Sequence, residues 1–403
     1  MKEILLINVG GADKPGVTSV VTAVLARCGA NVLDIGQAVI HDTLNLGMLV
    51  EVPAGLQTQL SKDVLFCVHE LGMQARFQGI SDESYCHWVA QQGKPRHIVT
   101  LLARRISAEH IARITAVTAL HRLNIDKIQR LSGRVPLHNS DETSKACVEF
   151  SVRGEALDLG QFRSSLLELA AELDVDIAYQ EDDIFRRHRR LVVFDMDSTL
   201  IDAEVIDELA KEMGVGEEVA AITEAAMQGD LDFRQSLQRR VALLKGLDAG
   251  ALERVATRLR MTEGAEHLIA TLKKLGYRTA IVSGGFGYFG RIIQARLGID
   301  YVFANELEII DGVVTGEVRG EVVDGARKAE LLIELAVKEN ICLEQTIAVG
   351  DGANDLAMLN IAGLGIAFRA KPIVKASAKQ AITHLGLDGV LYLMGISDRD
   401  TRN

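Results

Sequence analysis

Apolar and polar residues follow two different patterns along this chain, and the first pattern predicts a repeated α+β unit. Alternating runs typical of half-buried strands enclose helical stretches in the order βαββαβ. The first unit has predicted strands at residues 3–9, 32–40, 44–52 and 74–80, with helices at 15–28 and 56–71. The same order returns with strands at 96–102, 126–131, 147–152 and 176–179, and helices at 107–123 and 157–173. Residues 88–95 are polar around Gly93 and Pro95, which predicts a linker between the units.

The second pattern begins at Leu191, where continuously apolar strands alternate with helices. This pattern is typical of an α/β domain with a parallel sheet, whose strands are buried on both faces. Residues 205–259 interrupt it with helical pattern only, which predicts a helical cap inserted between two strands of the sheet. Residues 308–314 predict a hairpin that turns at Asp311-Gly312. We therefore expect domains at 1–85, 95–181 and 190–403, with the cap at about 205–260.

Composition narrows the class of protein. A net charge of −11 argues against a nucleic-acid-binding surface. The basic run at 186–190 is interpreted as an exposed link between domains. The five scattered cysteines have no CxxC spacing, so we expect free thiols and a cytoplasmic protein. No apolar stretch approaches the length of a membrane span.

The candidate chemistry lies where predicted strands and helices end. Asp195 and Asp197 follow the apolar run 191–194, and the carboxyl end of a strand is where ligands bind in an open α/β sheet. The first carboxylate can act as a nucleophile and the second as a proton donor or acceptor. Further along are Ser283-Gly284, Lys328 and the acids of Asp351-Gly352-Ala353-Asn354-Asp355. An attacking carboxylate, phosphate-oxygen donors and acids for a divalent cation together indicate phosphoryl transfer.

These motifs resemble the haloacid dehalogenase superfamily of aspartate-nucleophile phosphatases, whose signatures are DxD with threonine, then Ser, Lys and GDGxND. The resemblance covers roughly residues 191–394. It implies that Asp195 attacks phosphorus and that Asp197 protonates the leaving oxygen and then activates water. It implies magnesium on the Asp195 carboxylate, the Asp197 backbone carbonyl and the Asp351 carboxylate. Ser283, the Gly284 amide and Lys328 would hold the phosphate oxygens.

Within that superfamily, Glu204, the segment 224–227, Phe233 and Arg240 resemble the phosphoserine phosphatase family. That resemblance implies the substrate O-phospho-L-serine and a role in the last step of L-serine biosynthesis. Glu204 would bind the substrate ammonium and Arg240 its carboxylate, and Asn354 would also contact the substrate. Met227 and Phe233 would form an apolar wall, although core packing explains such residues equally well.

The two N-terminal units resemble ACT domains, the ferredoxin-like regulatory modules of amino-acid enzymes. Asp13-Lys14-Pro15-Gly16 and residues 28–32 match that family's ligand-loop pattern, whereas the second unit has Arg104-Arg105-Ile106-Ser107. The resemblance implies L-serine or another amino acid as an effector, and pairing into a homodimer. Because every proposed catalytic residue follows Arg190, we expect a fragment that starts near Glu181 to retain hydrolysis.

Other functions compete with the phosphoserine phosphatase interpretation. A phosphatase of related small phosphomonoesters would use the same catalytic motifs. Residues 285–290 fit GxGxxG, follow a strand and open a helix, with Glu306 downstream for a ribose contact, as in a dinucleotide site. That hypothesis leaves Asp195, Lys328 and Asp351 unexplained. An amino-acid sensor with an inactive phosphatase fold is another alternative, and the intact catalytic set argues against it.

Overall fold

The computed structural model of this protein describes residues 2–91, 93–136, 144–227 and 231–401, without the side chains of Ala226 and Met227. The chain divides into two compact units, Met1–Lys94 and Pro95–Asn403. Among the described helices, none combines the length and apolar character needed to cross a bilayer.

The first unit is an antiparallel four-stranded sheet covered by helices. Its strands are β1 (Glu3–Ala12), β2 (Asn31–Ile40), β3 (Thr43–Val52) and β4 (Gln74–Ile80), in the order β2-β3-β1-β4, and its helices are α1 (Val17–Arg27), α2 (Gln57–Glu70) and α3 (Asp82–Ala90). Alternate residues of β1, such as Leu5 and Ile7, are buried in one core with the helix residues Val21 and Val64. The predicted βαββαβ order is confirmed.

The linker predicted at 88–95 is wrong for its first residues, because Trp88 lies in α3. Ser81 accepts a hydrogen bond from the Ser84 N–H, and Asp82 and Glu83 occupy the first turn of that helix. A capping serine and early acidic residues both stabilise a helix start. Gly93 and Pro95, the residues that indicated a linker, follow the end of this helix.

The second unit begins with a sheet of the same topology. Its strands are β5 (Arg96–Ala103), β6 (Asn124–Arg130), β7 (Ala146–Arg153) and β8 (Asp176–Glu181), in the order β6-β7-β5-β8, and its helices are α4 (Ala108–Leu120) and α5 (Leu159–Leu173). One face of this sheet packs on α4 and α5 through residues such as Val99, Phe150 and Phe162. The other face contributes Leu102 and Ala178 to the core of the α/β domain that follows.

The α/β domain is built on a seven-stranded sheet with the order β12-β11-β10-β9-β13-β14-β15. The strands are β9 (Leu191–Phe194), β10 (Arg278–Phe286), β11 (Tyr301–Ile310), β12 (Val313–Arg319), β13 (Thr346–Gly350), β14 (Leu364–Phe368) and β15 (Gln380–Ile382). All neighbours pair in parallel except β11 and β12, which form the predicted hairpin through Asp311 and Gly312 at φ 50 and 79. Strand β9 is completely buried between β10 and β13.

The helices divide into a cap and a core set. Of the five described helices between β9 and β10, the first four form the predicted cap, namely α6 (Val205–Met213), α7 (Gly216–Met227), α8 (Phe233–Ala242) and α9 (Gly250–Arg258). The others are α10 (Ala265–Lys274), α11 (Gly287–Leu297), α12 (Gly325–Lys338), α13 (Leu356–Ile361), α14 (Pro372–Ser377), α15 (Gly389–Leu393) and α16 (Asp398–Thr401). The fold class predicted from the sequence is confirmed: two ferredoxin-like units precede a Rossmann-like domain with a helical cap.

The second ACT-like sheet and the α/β domain are joined by specific polar contacts. The Tyr179 N–H donates to Gln380 Oε1 at 2.9 Å, and Asp176 Oδ2 accepts from the N–H groups of Thr383 and His384 at 2.7 and 2.8 Å. Gln180 Nε2 donates to the Leu393 carbonyl at 3.0 Å. These hydrogen bonds join the edge strand β8 to the α/β domain, and Leu102 and Ala178 lie in the shared core. Both observations revise the expectation that the α/β domain is separable near Glu181.

The basic run at 186–190 is not the exposed link that was predicted, because two of its arginines are buried. Arg186 is 1% and Arg189 is 5% exposed. Arg186 forms an ion pair with Glu149 of β7, and its second carboxylate neighbour, Asp182, is 3.8 Å away. A buried guanidinium needs such partners to offset its lost hydration. The run therefore anchors the second sheet to the α/β domain.

Candidate active site

The site is built on the loop that leaves β9 at the centre of the sheet. The Asp195 N–H donates to the Val349 carbonyl of β13 at 2.9 Å, so the strand pairing continues up to this residue. Asp195 Oδ1 accepts from the Met196 N–H at 2.8 Å. Ser198 has φ 54, a left-handed conformation that turns the chain sharply after the two aspartates. The turn places both carboxylates at the carboxyl edge of the sheet.

Lys328 lies beneath this edge as a completely buried cation. Its Nζ is 3.0 Å from Asp195 Oδ1 and 2.6 Å from Asp355 Oδ1. Burial alone would lower the lysine pKa, but the two adjacent carboxylates outweigh it and raise that pKa above its ordinary value. Lys328 therefore stays positively charged between Asp195 and Asp355.

Three carboxylates converge on a single point at this edge. Asp195, Asp351 and Asp355 each offer an oxygen atom, and these atoms lie within 4.8 Å of one another. Burial, followed by repulsion from neighbouring carboxylates, raises the pKa of Asp351 to about 8 and that of Asp355 to about 6. A divalent cation would relieve this repulsion, and an all-oxygen donor set suits a hard cation.

Asp355 has less capacity to ligate a cation than its two neighbours. Its Oδ1 accepts from Lys328, and its Oδ2 accepts from the Gly352 N–H at 2.9 Å. Asp351 instead accepts only a 3.3 Å hydrogen bond from Thr199 Oγ1 among the contacts of the described residues. The geometry favours Asp351 as a ligand and Asp355 as the group that orients Lys328 and the Gly352 loop.

The Asp197 carboxylate occupies a different environment from that of Asp195. Its Oδ1 accepts from the N–H of Val205, the first residue of α6, at 3.1 Å. A Cβ atom on Gly285 would lie 2.2 Å from its Oδ2, so a larger residue at that position would displace the Asp197 carboxylate. Burial, followed by repulsion from Glu204 and Asp195, raises the Asp197 pKa well above its ordinary value. A carboxyl group that retains its proton in this way is suited to act as a general acid.

Ser283 and Gly284 lie near the carboxyl end of β10, beside the two aspartates. Ser283 is completely buried, and its Oγ accepts from the Gly285 N–H at 2.9 Å. The Phe233 ring of α8 covers Gly284, because a Cβ atom there would lie 2.7 Å from Phe233 Cζ. The cap therefore contacts the core directly over the predicted phosphate-binding turn.

Asn305 was not predicted from the sequence, although it holds this turn in place. Its Nδ2 donates to the Gly284 carbonyl at 2.7 Å, and its Oδ1 accepts from the Val323 N–H at 2.8 Å. A buried amide that makes both contacts fixes the orientation of the peptide after Gly284. An asparagine inside a strand was the only sequence signal, and a strand asparagine alone does not indicate such a role.

Glu204 and Arg240 lie on the cap side of the site. Glu204 Oε1 accepts from Ser198 Oγ at 2.7 Å. Burial lowers the Arg240 pKa, while Glu204 and then Asp207 act to raise it, so the three charges interact. Burial raises the pKa of both Glu204 and Asp207. Asp207 was not singled out from the sequence, because one acid in the first turn of a helix looks like a response to the helix dipole.

The remaining predicted residues have less defined positions. Asn354 is half-buried in the short helical turn Ala353–Asp355, directly before Asp355. The Met227 side chain lies outside the part of the chain that the structure describes. Glu306 is held by two hydrogen bonds from Arg291, at 2.5 and 3.2 Å, which leaves it poorly placed for the ribose contact of the dinucleotide alternative.

A central aspartate strand, a buried lysine, a cluster of acids and a helical cap define a phosphatase of the haloacid dehalogenase type. The haloacid dehalogenase-like hydrolase family matches residues 192–360, and the ACT domain family matches residues 3–78 and, through a second ACT description, 95–180. A haloacid dehalogenase family hydrolase from Salmonella enterica serovar Typhi has 32% identity and a TM-score of 0.64, covering 75% of this chain and 99% of that one.

More specifically, the chain belongs to the phosphoserine phosphatase family. It is 45% identical over 395 residues to the phosphoserine phosphatase of Streptomyces coelicolor, a match that covers 98% of this chain and 92% of the relative. It is 40% identical to the enzyme of Mycobacterium tuberculosis, covering 98% and 94%. The crystal structure of a probable phosphoserine phosphatase from Vibrio cholerae has 34% identity and a TM-score of 0.58, covering 76% of this chain and 88% of that one.

Proposed function

We propose that this protein hydrolyses O-phospho-L-serine to L-serine and phosphate through an aspartyl-phosphate intermediate. The observation that carries the proposal is the position of Asp195. It lies beside the buried Lys328 and the acidic cluster, under a cap that brings Glu204 and Arg240 to the same edge. A phosphate group and an amino-acid group on one small substrate would match the two halves of this site.

In the first step, a carboxylate oxygen of Asp195 attacks phosphorus, and the bond from phosphorus to the serine oxygen breaks. Asp197 gives its proton to that departing oxygen, in keeping with its raised pKa. In the second step, the Asp197 carboxylate takes a proton from water, and the resulting hydroxide attacks the phosphoaspartate. Phosphate is released and the Asp195 carboxylate is regenerated.

The phosphate oxygens would be held by Ser283 Oγ, the Gly284 N–H and Lys328 Nζ. Lys328 is fixed by Asp355 at 2.6 Å, and the Gly284 carbonyl, on the peptide after the donor N–H, is fixed by Asn305 at 2.7 Å. Donors held by such contacts need little rearrangement when charge develops on the phosphoryl group. Asp355 and Asn305 would therefore act by positioning other groups.

Magnesium is the cofactor that this site suits best. The Asp195 carboxylate, the Asp197 backbone carbonyl and the Asp351 carboxylate would hold it, and the raised pKa of Asp351 reflects the repulsion it would relieve. When bound, the ion would neutralise charge on the phosphate oxygens.

Recognition of serine would use the cap-side charges. Glu204 would bind the ammonium group, Arg240 the carboxylate, and Asn354 would add a polar contact. The ring of Phe233, which lies over Gly284, would exclude water from the bound phosphate.

The first ACT unit would bind an amino-acid effector, for which L-serine is the first candidate. In its loop at 13–16, Gly16 has φ 92, and Lys14 Nζ donates to the Leu71 carbonyl at 3.0 Å, which ties the loop to the end of α2. Asn31 Nδ2 donates to Glu51 at 2.9 Å, at the opposite end of the same sheet. ACT units commonly pair, so a homodimer is part of this proposal.

The test is phosphate release from a panel of O-phospho-L-serine, O-phospho-D-serine, phosphothreonine and phosphoethanolamine, with magnesium and with a chelator. We expect the highest kcat/KM for O-phospho-L-serine, and activity that depends on magnesium. An Asp195→Asn preparation serves as the control for contaminating phosphatases. A different preferred phosphomonoester would make this a phosphatase of related small substrates instead.

A further inference from the structure

The two chain crossings between the cap and the core form a short ladder, which is separate from the backbone contacts of the cap with β12. Ile201 pairs with Met261 as an antiparallel bridge. The Asp202 N–H donates to the Arg260 carbonyl at 3.0 Å, and the Thr262 N–H donates to the Leu200 carbonyl at 2.9 Å. The entering strand of this hinge ladder continues directly from the Asp195–Thr199 loop. A shift of the ladder would therefore displace the cap relative to the catalytic aspartates.

Glu263 is the first residue on the core side of the hinge ladder, and two arginines hold it. Arg104 Nη1 and Nη2 donate to its two carboxylate oxygens at 2.7 and 2.6 Å, in a bidentate pair. Arg369 Nη2 donates to Oε2 at 3.0 Å. The Glu263 carbonyl also accepts from the Leu387 N–H at 2.7 Å. Both the side chain and the backbone of this residue are therefore anchored.

Arg104 comes from the second ACT-like unit, not from the phosphatase domain. It follows β5, just as the loop at 13–16 follows β1 in the first unit. A second cation from the same unit, Lys145, directly precedes β7 and forms an ion pair with Asp388, which is 5% exposed and packs against Gly264. The loop after β1 resembles a ligand loop in the first unit. The equivalent position after β5 in the second unit instead binds Glu263 at the hinge ladder.

We propose that Arg104 is a positioning residue for the phosphatase site, which acts through Glu263 to fix the hinge ladder at the base of the cap. The inference rests on the proposed function, because the cap side is where Glu204 and Arg240 would read the serine part of the substrate. The second ACT-like unit is in this view a rigid support for the cap rather than an amino-acid sensor. Removing the Arg104–Glu263 ion pair should weaken recognition of serine more than it slows attack on phosphorus.

The test compares Arg104→Ala and Arg104→Lys with Arg105→Ala in the full chain. Arg105 is the exposed neighbour and serves as the matched control. Lysine retains the charge but cannot form two parallel hydrogen bonds. We expect Arg104→Ala to raise KM for O-phospho-L-serine about fivefold, equivalent to ~1 kcal/mol, with kcat changed less than about twofold. Arg104→Lys should show about half of that loss in free energy.

A second substrate separates positioning from a general loss of folded protein. p-Nitrophenyl phosphate lacks both the ammonium and the carboxylate group, so its kcat/KM should change less than about twofold in Arg104→Ala. Glu263→Gln should show at least as large an effect, because it also weakens the Arg369 contact. The double variant should be no worse than Glu263→Gln alone, because both substitutions remove the same Arg104–Glu263 pair. Equal losses on the two substrates, or an O-phospho-L-serine KM like that of Arg105→Ala, would overturn the inference.

Amide hydrogen exchange provides a readout that does not depend on the substrate. The Thr262 and Asp202 N–H groups of the hinge ladder should exchange faster in Arg104→Ala than in Arg105→Ala. If the unaltered protein does not hydrolyse O-phospho-L-serine, the proposed function fails while this comparison still decides whether Arg104 holds the hinge. Identical exchange rates at both amides in Arg104→Ala and Arg105→Ala would refute the proposal that Arg104 fixes the hinge ladder.

Discussion

Without metal, the protein should become less stable as the pH rises from about 4 to about 8. The pKa of Asp355 is about 6 and that of Asp351 about 8 in the folded protein, against an ordinary value of 3.8. Between these limits the folded state binds more protons than the unfolded state, so the free energy of unfolding falls with pH. Protonation of these two carboxylates contributes fully to the free energy of unfolding below their ordinary pKa of 3.8. That contribution is lost as the pH rises through their folded-state pKa values of about 6 and about 8.

The Asp355 shift alone predicts a measurable effect. A rise from 3.8 to about 6 corresponds to ~3 kcal/mol at about 1.4 kcal/mol per unit. For a unit of this size, each kcal/mol moves the unfolding temperature by about 2 °C, so a decrease of about 6 °C is expected between pH 4 and pH 8. Magnesium at a hundred times its dissociation constant should add ~2.7 kcal/mol to the free energy of unfolding. At one fixed magnesium concentration, the stabilisation should be larger at pH 8 than at pH 5.

Differential scanning calorimetry from pH 4 to pH 8, with a chelator and with magnesium, measures this directly. The control is Asp351→Asn, which removes one titrating acid of the cluster and one predicted ligand. Its unfolding temperature should depend less on pH, and magnesium should stabilise it less. The difference between the two proteins isolates the site from other titrating groups. A metal-free unfolding temperature that rises toward pH 8, or magnesium stabilisation of equal size at pH 5 and pH 8, would refute the reasoning.

Other substitutions and truncations test the remaining assignments. Asp195→Asn should lower phosphate release more than about a thousandfold with the unfolding temperature retained, since an amide cannot attack phosphorus; a smaller loss contradicts covalent catalysis. Arg240→Ala should cost ~2–4 kcal/mol in kcat/KM on O-phospho-L-serine but little on phosphoethanolamine, and equal losses would exclude carboxylate recognition. A fragment starting at Pro95 should fold and hydrolyse, whereas one starting at Glu181 should aggregate; a cooperative melt of the shorter fragment would contradict this.

The order of motifs was sufficient to predict which strand ends and which helix lysine the fold brings together. Asp195 and Asp351 each follow a buried strand, and Ser283 lies near the carboxyl end of another. Parallel strands bring their carboxyl ends to one edge whatever their separation in sequence. Lys328 could be predicted only as a member of that ordered set, since a helix lysine is usually solvated. The structure makes it a buried partner of two acids.

Residues that act through tertiary proximity could not be predicted. Asn305 orients the Gly284 peptide from a neighbouring strand, and nothing in its local sequence indicates that contact. Arg186 is buried by a domain contact, although it stands in a run of basic residues that is typical of a surface. Arg104 and Glu263 are 159 positions apart, and charge patterns along one sequence do not pair residues at such distances.

The packing of β8 against β15 has a consequence for the synthesis of the protein on the ribosome. Tyr179 bonds to Gln380, 201 positions later in the chain. At about 5–20 residues per second, the second ACT-like sheet would wait roughly 10–40 s before its covering segment is translated. Meanwhile Leu102 and Ala178 would face the cytosol, open to chaperones and to aggregation. The first unit meets no such delay, because every strand of its sheet is complete by Ile80.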